Sequence, residues 1–422
     1  MPRVRESKSS LDLSKIQVID QHCHMYLDDL RVIDATSFVR IMSLEAFNPD
    51  FIIPSSIIEQ YEMVSSAEKM QLDEQYKVGR VLASSLWSGR TSLLFIRALR
   101  SLAAFLHCGE DLDTVLKIRN DRSNDFDLYV KELFKDVRIH TLILSDYRDT
   151  DRSAVVRKSC PARLMNKVVL HPLIFSALDR SVTFTEAINY FDFSLEQYVK
   201  KEGYIGIKSM VAYGGNRKGS GLDIGNPDEK SAAEAFRRYK DRKGNIEGYH
   251  IKDLIDYFHR LAIEKSIRFD IPFEFHTGIG DLEVLTDRCN PMLLANLLKD
   301  EEIRHAKIIL LHGGYPYVAE AAWMAHFFPN VYLDASILFF THLTAAVRRI
   351  EEALEMVPYG KLLYSSDGYG IPELHWFGAK EAKRAITIAL GNLVHAGTLS
   401  EKESLSVAEA FFYRNAKELY RL

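Results

Sequence analysis

Short apolar runs recur along the chain, and most end in a polar or glycine-containing turn. They are IQVIDQH (16–22), VRIHTLILSD (137–146), KVVLHPLIF (167–175), YIGIKSMVAY (204–213), IPFEFHTG (271–278), KIILLHGG (307–314), VYLDASIL (331–338) and KLLYSSDG (361–368). Their Ile, Val, Leu, Phe and Tyr content predicts buried parallel strands. Helical patterns lie between many of them: SLEQYVKKEG, IKDLIDYFHRLAIEKS, NPMLLANLLKD, YVAEAAWMAHFF and LTAAVRRIEEALEMV. Strands that alternate with helices in this way predict an α/β chain folded as a parallel (β/α)8 TIM barrel. An open doubly wound sheet is the competing architecture. It would call for a glycine-rich fingerprint after the first strand, and VIDQHCHMYLDD carries none.

The spacing predicts a barrel over 17–422 preceded by an extension over 1–16. Residues 26 to about 135, between the first and second strands, read as a helical insertion on the first loop. A loop at that end of a barrel overlies the active site, so the insertion is expected to serve as a lid or as a packing and oligomer surface. The segment GGNRKGSGLDIGNPDEKS (214–231) follows the fourth strand, and its Gly, Ser and charge content suits a mobile loop over the site.

Composition narrows the classes. Hydrophobic residues make up 47% and charged residues 27% of the chain, with a formal net charge of -4. That balance is globular and gives no electrostatic reason to expect nucleic acid or an anionic membrane as partner. The N-terminal MPRVRESKSSLDLSK lacks the apolar core of a secretory signal. Arg90, Arg97 and Arg100 interrupt the long apolar stretch 81–108, which argues for helix packed in protein and not for a membrane span. Cys23, Cys108, Cys160 and Cys289 are scattered with no CxxC pair, which fits a reducing cytoplasm. A homodimer is the default assembly.

The polar residues change the picture most. A strand alternates faces with period two, so His22 and His24 point the same way. Lys208 lies on the fourth strand, His276 ends the fifth, His312 the sixth, and Asp367 the eighth. Strand ends of this polarity converge on one mouth of a barrel. One strand-end histidine is ordinarily a satisfied polar residue, and His140 and His171 are read as structural. The ordered set is harder to dismiss. Imidazole with carboxylate suits Zn, Mn or Fe held with an open position for water.

This set, together with FHTGIGDLEVLTDRCNP (275–291), LLHGGYPYVAEAAWMAHFFPNVYLDAS (310–336), SSDGYGIPELHWFGAK (365–380) and the closing FFYRNAKELYRL, resembles the amidohydrolase superfamily. The motifs are similar to its family 2 branch, and to the domain that nodulin-type relatives carry fused to a glutamine-synthetase-like module. That branch typically has Tyr-Arg after the fourth strand; here Tyr213 is followed by Gly214, with Arg217 next along. The resemblance implies one divalent ion, zinc first with Mn or Fe as alternatives, on His22, His24, His276 and Asp367. It further implies Asp367 as the base that takes a proton from water, and His312 as the group that polarises or protonates the substrate. Two ions would follow if Lys208 were the carboxylated lysine that bridges metals elsewhere in the superfamily; otherwise Lys208 can bind a substrate carboxylate.

Tyr213, Tyr315, Glu373 and His375 are the expected substrate-binding residues; Asp281 and Asp334 are weaker candidates for the pocket wall. The expected reaction is hydrolysis of an amide-like C–N bond in a small molecule. A metal-dependent decarboxylase of a small carboxylic acid is the alternative. A sugar-acid isomerase and a catalytically silent scaffold stand further off.

Overall fold

In the computed structural model the described residues are 11–46, 48–49, 52–63, 65–146, 151–342 and 344–422. Residues 1–10 of the expected extension lie outside them. The strands are β1 (Val18–Cys23), β2 (Ile139–Leu144), β3 (Arg163–Asn166), β4 (Val168–Val169), β5 (Ile207–Ser209), β6 (Phe273–Phe275), β7 (Ile308–Leu310), β8 (Val331–Asp334) and β9 (Leu362–Leu363). All neighbours pair in parallel, as a three-stranded sheet β1-β2-β3 and a six-stranded sheet β4 to β9. β3 and β4 are two pieces of one barrel strand, broken at Lys167. Backbone hydrogen bonds bridge both gaps. Ile205 N–H donates to Asn166 O (2.9 Å) and Val168 N–H to Gly206 O (2.9 Å); on the other side Asp367 N–H donates to His22 O (3.0 Å). The eight predicted barrel strands are therefore present, wound in the predicted order.

One of the predicted strands ends early. KVVLHPLIF is strand only to Val169, and Leu170–Arg180 is helix, so His171 is a helical residue. The apolar run belongs half to the barrel wall and half to a buried helix face, and apolarity alone does not divide the two.

Period two sorts the apolar positions of the strands. Val18, Leu142, Ile207, Phe273 and Ile308 face the surrounding helices in the main core. Ile19, Ile143, Ile309 and Leu363 face inward, where they pack with Leu419 and Tyr420. The C-terminal helix Asn415–Tyr420 thus seals the barrel interior at the end opposite the mouth. Lys208 and Glu274 occupy the inward positions of β5 and β6, between outward neighbours.

Among the described residues seven α-helices, from Ala35–Met42 to Phe126–Val137, lie between β1 and β2. The apolar stretch at 81–108 forms Val78–Thr91 and Leu93–Leu106. Among the described residues no helix is long and apolar enough to cross a membrane. The insertion docks on the helix Pro372–His395: Phe105 stacks near Trp376 at 5.4 Å between centroids, and Arg119 pairs with Glu373.

The segment 214–231 is packed down over 219–222 and exposed over 228–230. Ser220 and Leu222 are fully buried, and Gly225 N–H donates to Asp256 Oδ2 at 2.8 Å. Glycine is required there by close approach and not by looseness. A Cβ on Gly219 would lie 2.3 Å from the carbonyl oxygens of Val211 and Tyr213.

Candidate metal centre

β1 brings its two histidines to the mouth through an irregularity. Its pairing with β2 shifts register between Asp20 and Cys23, and Gln21 and His22 both reach the barrel interior. His24 follows on the same side. His22 Nε2 lies 3.5 Å from Asp367 Oδ1, and His24 Nε2 lies 3.9 Å from the same oxygen. From the sixth barrel strand, His312 Nδ1 lies 3.9 Å from Asp367 Oδ2. His22, His312 and Asp367 form a group whose potential ligand atoms all lie within 4.8 Å of one another.

Two of these residues sit in the left-handed region, His312 at φ +67° and Asp367 at φ +52°. Non-glycine residues adopt it at a cost, and it concentrates at functional sites. Gly313 and Gly314 continue it at φ +62° each. A Cβ on Gly313 would fall 2.8 Å from Leu338, so the turn that presents His312 has no room for a side chain there.

His276 is adjacent but differently engaged. Its ring centroid is 4.4 Å from that of His312 and 4.4 Å from that of Tyr213. Its Nε2 lies 3.2 Å from Ile279 O, and the Tyr213 hydroxyl lies 3.1 Å from Nε2 and 3.2 Å from Nδ1. Tyr213 therefore joins the site through His276. Lys208 Nζ is buried 3.5 Å from His22 Nε2. Tyr315 is half-buried beside the site, with the Arg349 guanidinium 4.9 Å from its ring centroid.

Glu373 and His375 do not reach this group, which corrects their expected role in binding substrate. Glu373 is fully buried; Arg119 Nε donates to it at 2.6 Å and the Tyr129 hydroxyl at 2.9 Å. It clamps the helical insertion to the last long helix. His375 lies behind β1, where its Nδ1 is 3.6 Å from Asp20 Oδ2 and Tyr26 and Phe134 flank its ring. Asp281 is an exposed acceptor for Arg217 at 2.5 Å.

Several supporting residues escaped the sequence reading. Glu274 Oε2 lies 3.0 Å from His22 Nδ1, and Lys167 Nζ is 2.7 Å from Glu274 Oε1. Asp146 Oδ1 lies 3.5 Å from His24 Nδ1, and Arg157 donates to Asp146. Each imidazole of the HxH pair thus has a carboxylate at its rear nitrogen and a cation behind that carboxylate. Asp334, a weak candidate by sequence, is a hub. It accepts from His312 N–H (3.0 Å), Ser336 Oγ (2.7 Å), Gln21 Nε2 (2.9 Å) and Ser365 Oγ (2.6 Å). Ser336 Oγ lies 2.8 Å from His312 Nδ1. Since Ser336 gives its hydrogen to Asp334, His312 donates through Nδ1 and keeps a lone pair on Nε2. The spacing of two between Glu274 and His276 is the signal that was available, since it places both on one face.

Electrostatics follow burial. Burial, then the charge of Lys208, holds His22 well below the ordinary imidazole range; His312 is depressed by burial and the neighbouring His276, and His276 by burial and Lys208. Such rings are neutral and keep lone pairs to offer. Burial works against the charged form of His24 too, but Asp146 outweighs it and raises that ring. Burial lowers Lys208 to about 7 and raises Asp367 to about 6, the latter opposed by His24 and Lys208.

Residues 224–422 match the family model described as Amidohydrolase. Over that stretch the chain is similar to the amidohydrolase family. The matched amidohydrolase segment carries His276, His312 and Asp367, while His22, His24 and Lys208 precede it. Protein fluG of Emericella nidulans is 28% identical over 228 residues, which are 52% of this chain and 26% of that protein. The chain matches only about a quarter of that relative's length. Among solved structures, a Lactobacillus casei protein described as a metal-dependent hydrolase superposes with a TM-score of 0.76 at 22% identity, covering 97% of this chain and 96% of that one. Uronate isomerase of Thermotoga maritima gives a TM-score of 0.66 at 14% identity, over 96% and 95% of the two chains. These likenesses extend the shared fold across nearly the whole chain, helical insertion included.

Proposed function

We propose that the chain is a metal-dependent hydrolase that cleaves an amide-like C–N bond in a small molecule. The convergence of His22, His312 and Asp367 within 4.8 Å, with His24 Nε2 beside the same carboxylate, is the observation that carries this reading. The donor set fits one borderline divalent ion such as zinc, because neutral imidazole nitrogens and a carboxylate are its ordinary ligands. His22, His24 and Asp367 would hold it, with a third imidazole from His312, or from His276 once its Nε2 leaves the Ile279 carbonyl. When bound, the ion supplies Lewis acidity toward a carbonyl and toward water.

The chain's own groups account for the proton. Asp367, raised to about 6, is still mainly ionised at neutral pH and accepts a proton close to that pH with little driving force lost. Its Oδ1 faces His22 and His24 while Oδ2 faces His312, so a proton taken there stays within the site. Lys208, lowered to about 7, is a cation for a substrate carboxylate below that pH and a free amine above it.

A second reading has its own support. Among the described residues no carboxylate lies within ion-pair distance of the buried Lys208, and the His276 and His312 rings stand side by side. A neutral Lys208 amine that adds carbon dioxide and sheds one proton becomes a carbamate, which would allow two ions. Elemental analysis of protein purified without chelator or affinity metal tests both readings. About one ion per chain, with ammonia or amine released from an amide panel, supports the first reading; about two supports the second. Release of carbon dioxide from carboxylic acids would replace hydrolysis by decarboxylation, and no metal uptake would sink the site.

A further inference from the structure

Below the metal centre the barrel interior holds polar groups that the hydrolytic reading leaves without a task. Lys167, Glu274 and Tyr420 are 1%, 0% and 5% exposed. They come from the break between β3 and β4, from β6, and from the C-terminal helix. Lys167 Nζ lies 2.7 Å from Gln21 O, 2.7 Å from Glu274 Oε1 and 2.8 Å from Glu274 Oε2. The Tyr420 hydroxyl lies 2.5 Å from Glu274 Oε1 and 2.8 Å from Gln21 Oε1. Glu274 Oε2 lies 3.0 Å from His22 Nδ1.

Hydrogen counting decides the state of His22. Lys167 Nζ is also 3.0 Å from His22 Nδ1, and Ser145 Oγ, which can donate or accept, lies farther off at 3.2 Å; among the described residues the only charged acceptor within reach of that nitrogen is Glu274 Oε2. An ammonium has three hydrogens. Three oxygens lie closer to Lys167 than the ring does, and they use all three. Nδ1 is then free to donate to Glu274 Oε2. Its hydrogen leaves the lone pair on Nε2, the nitrogen that faces Asp367. A lysine beside the glutamate also keeps the carboxylate from being an unpaired buried charge.

We infer that Lys167, Glu274 and Tyr420 are positioning residues that fix the tautomer and ring orientation of His22 as a metal ligand. The inference rests on the reading of His22 as a ligand given above. Glu274 strengthens the ring as a donor by drawing on its Nδ1 hydrogen. Lys167 neutralises Glu274. Tyr420 pins the carboxylate from below, so the docking of the C-terminal helix is read out at the metal.

The test is zinc affinity, measured on the full chain by competition with a chelator. Glu274→Gln keeps the size of the side chain and removes its charge; it is expected to weaken zinc binding 10- to 100-fold, the usual range for partners behind a ligating histidine. Tyr420→Phe is expected to weaken it about tenfold at the low end of that range. A purely structural role would lower thermal stability in both variants and leave affinity alone. Wild-type affinity in folded Glu274→Gln overturns the inference. If that variant does not fold, wild-type affinity in Tyr420→Phe overturns it. Ring nitrogen shifts of His22 in zinc-free protein are expected to show hydrogen on Nδ1, and hydrogen on Nε2 would overturn it as well. Failure of the wild type to bind zinc removes the metal centre and this inference together, whereas unchanged variant affinity removes the inference alone.

Discussion

Lys208 Nζ stands 3.5 Å from His22 Nε2, a lysine placed against a histidine in the interior of the barrel. With a single ion, Lys208→Met should leave about one metal per chain and cut turnover, while Lys208→Arg recovers part of it through charge. In the two-ion arrangement the metal content of Lys208→Met falls and arginine rescues nothing, because a guanidinium forms no carbamate there. Metal-to-protein ratios and initial rates for the two variants separate these outcomes.

His276→Ala should lose activity and metal while the barrel still folds. The residue follows β6 directly at the mouth and takes no part in the inward apolar layer. Elemental analysis and circular dichroism on the same preparation check both halves. Full activity with full metal content would mean that His312 supplies the third imidazole unaided.

Arg119→Met should cost stability and spare the metal. It leaves Glu373 buried without its cation, and breaking a buried pair in this way costs about 3–5 kcal/mol. Urea unfolding reads the loss. Metal content should stay at the wild-type value, since Glu373 clamps helices and lies outside the centre. A fall in metal content without a fall in stability would return Glu373 to the site.

Stability should fall as the pH drops from about 6.5 toward 4. His259 is fully buried, with Nδ1 2.7 Å from Ile255 O and Nε2 2.8 Å from Ser209 Oγ, a pattern satisfied by the neutral ring. Burial depresses it to about 4. The unfolded chain therefore binds a proton that the folded chain refuses over that window, and unfolding gains on acidification. The limiting slope is about 1.4 kcal/mol per pH unit for one such histidine. Urea unfolding of metal-free protein at a series of pH values should show it, and His259→Gln should flatten the curve by about that amount.

The barrel was legible in the sequence because its strands are apolar runs that end in polar turns. The candidate site was legible because its residues fall at those ends in a fixed order. KVVLHPLIF misled because a buried helix face is as apolar as a buried strand. Glu373 and His375 misled for a different reason: their location depends on which face of Pro372–His395 meets the helical insertion, and local pattern does not encode that. Lys167 escaped notice because its meaning rests on an inward register, and the strand breaks at that very residue. Glycine content in 214–231 suggested looseness, whereas at Gly219 it is close approach of the backbone that requires glycine.

The helix Asn415–Tyr420 follows all eight barrel strands in the chain, yet its Leu419 and Tyr420 complete their interior. During synthesis the wall can therefore assemble before anything stoppers it. Until that segment leaves the ribosome, Ile19, Ile143, Ile309 and Leu363 lack their cover, and Glu274 lacks one of its donors. A nascent chain halted short of it would be an open-bottomed tube with its inward apolar residues uncovered.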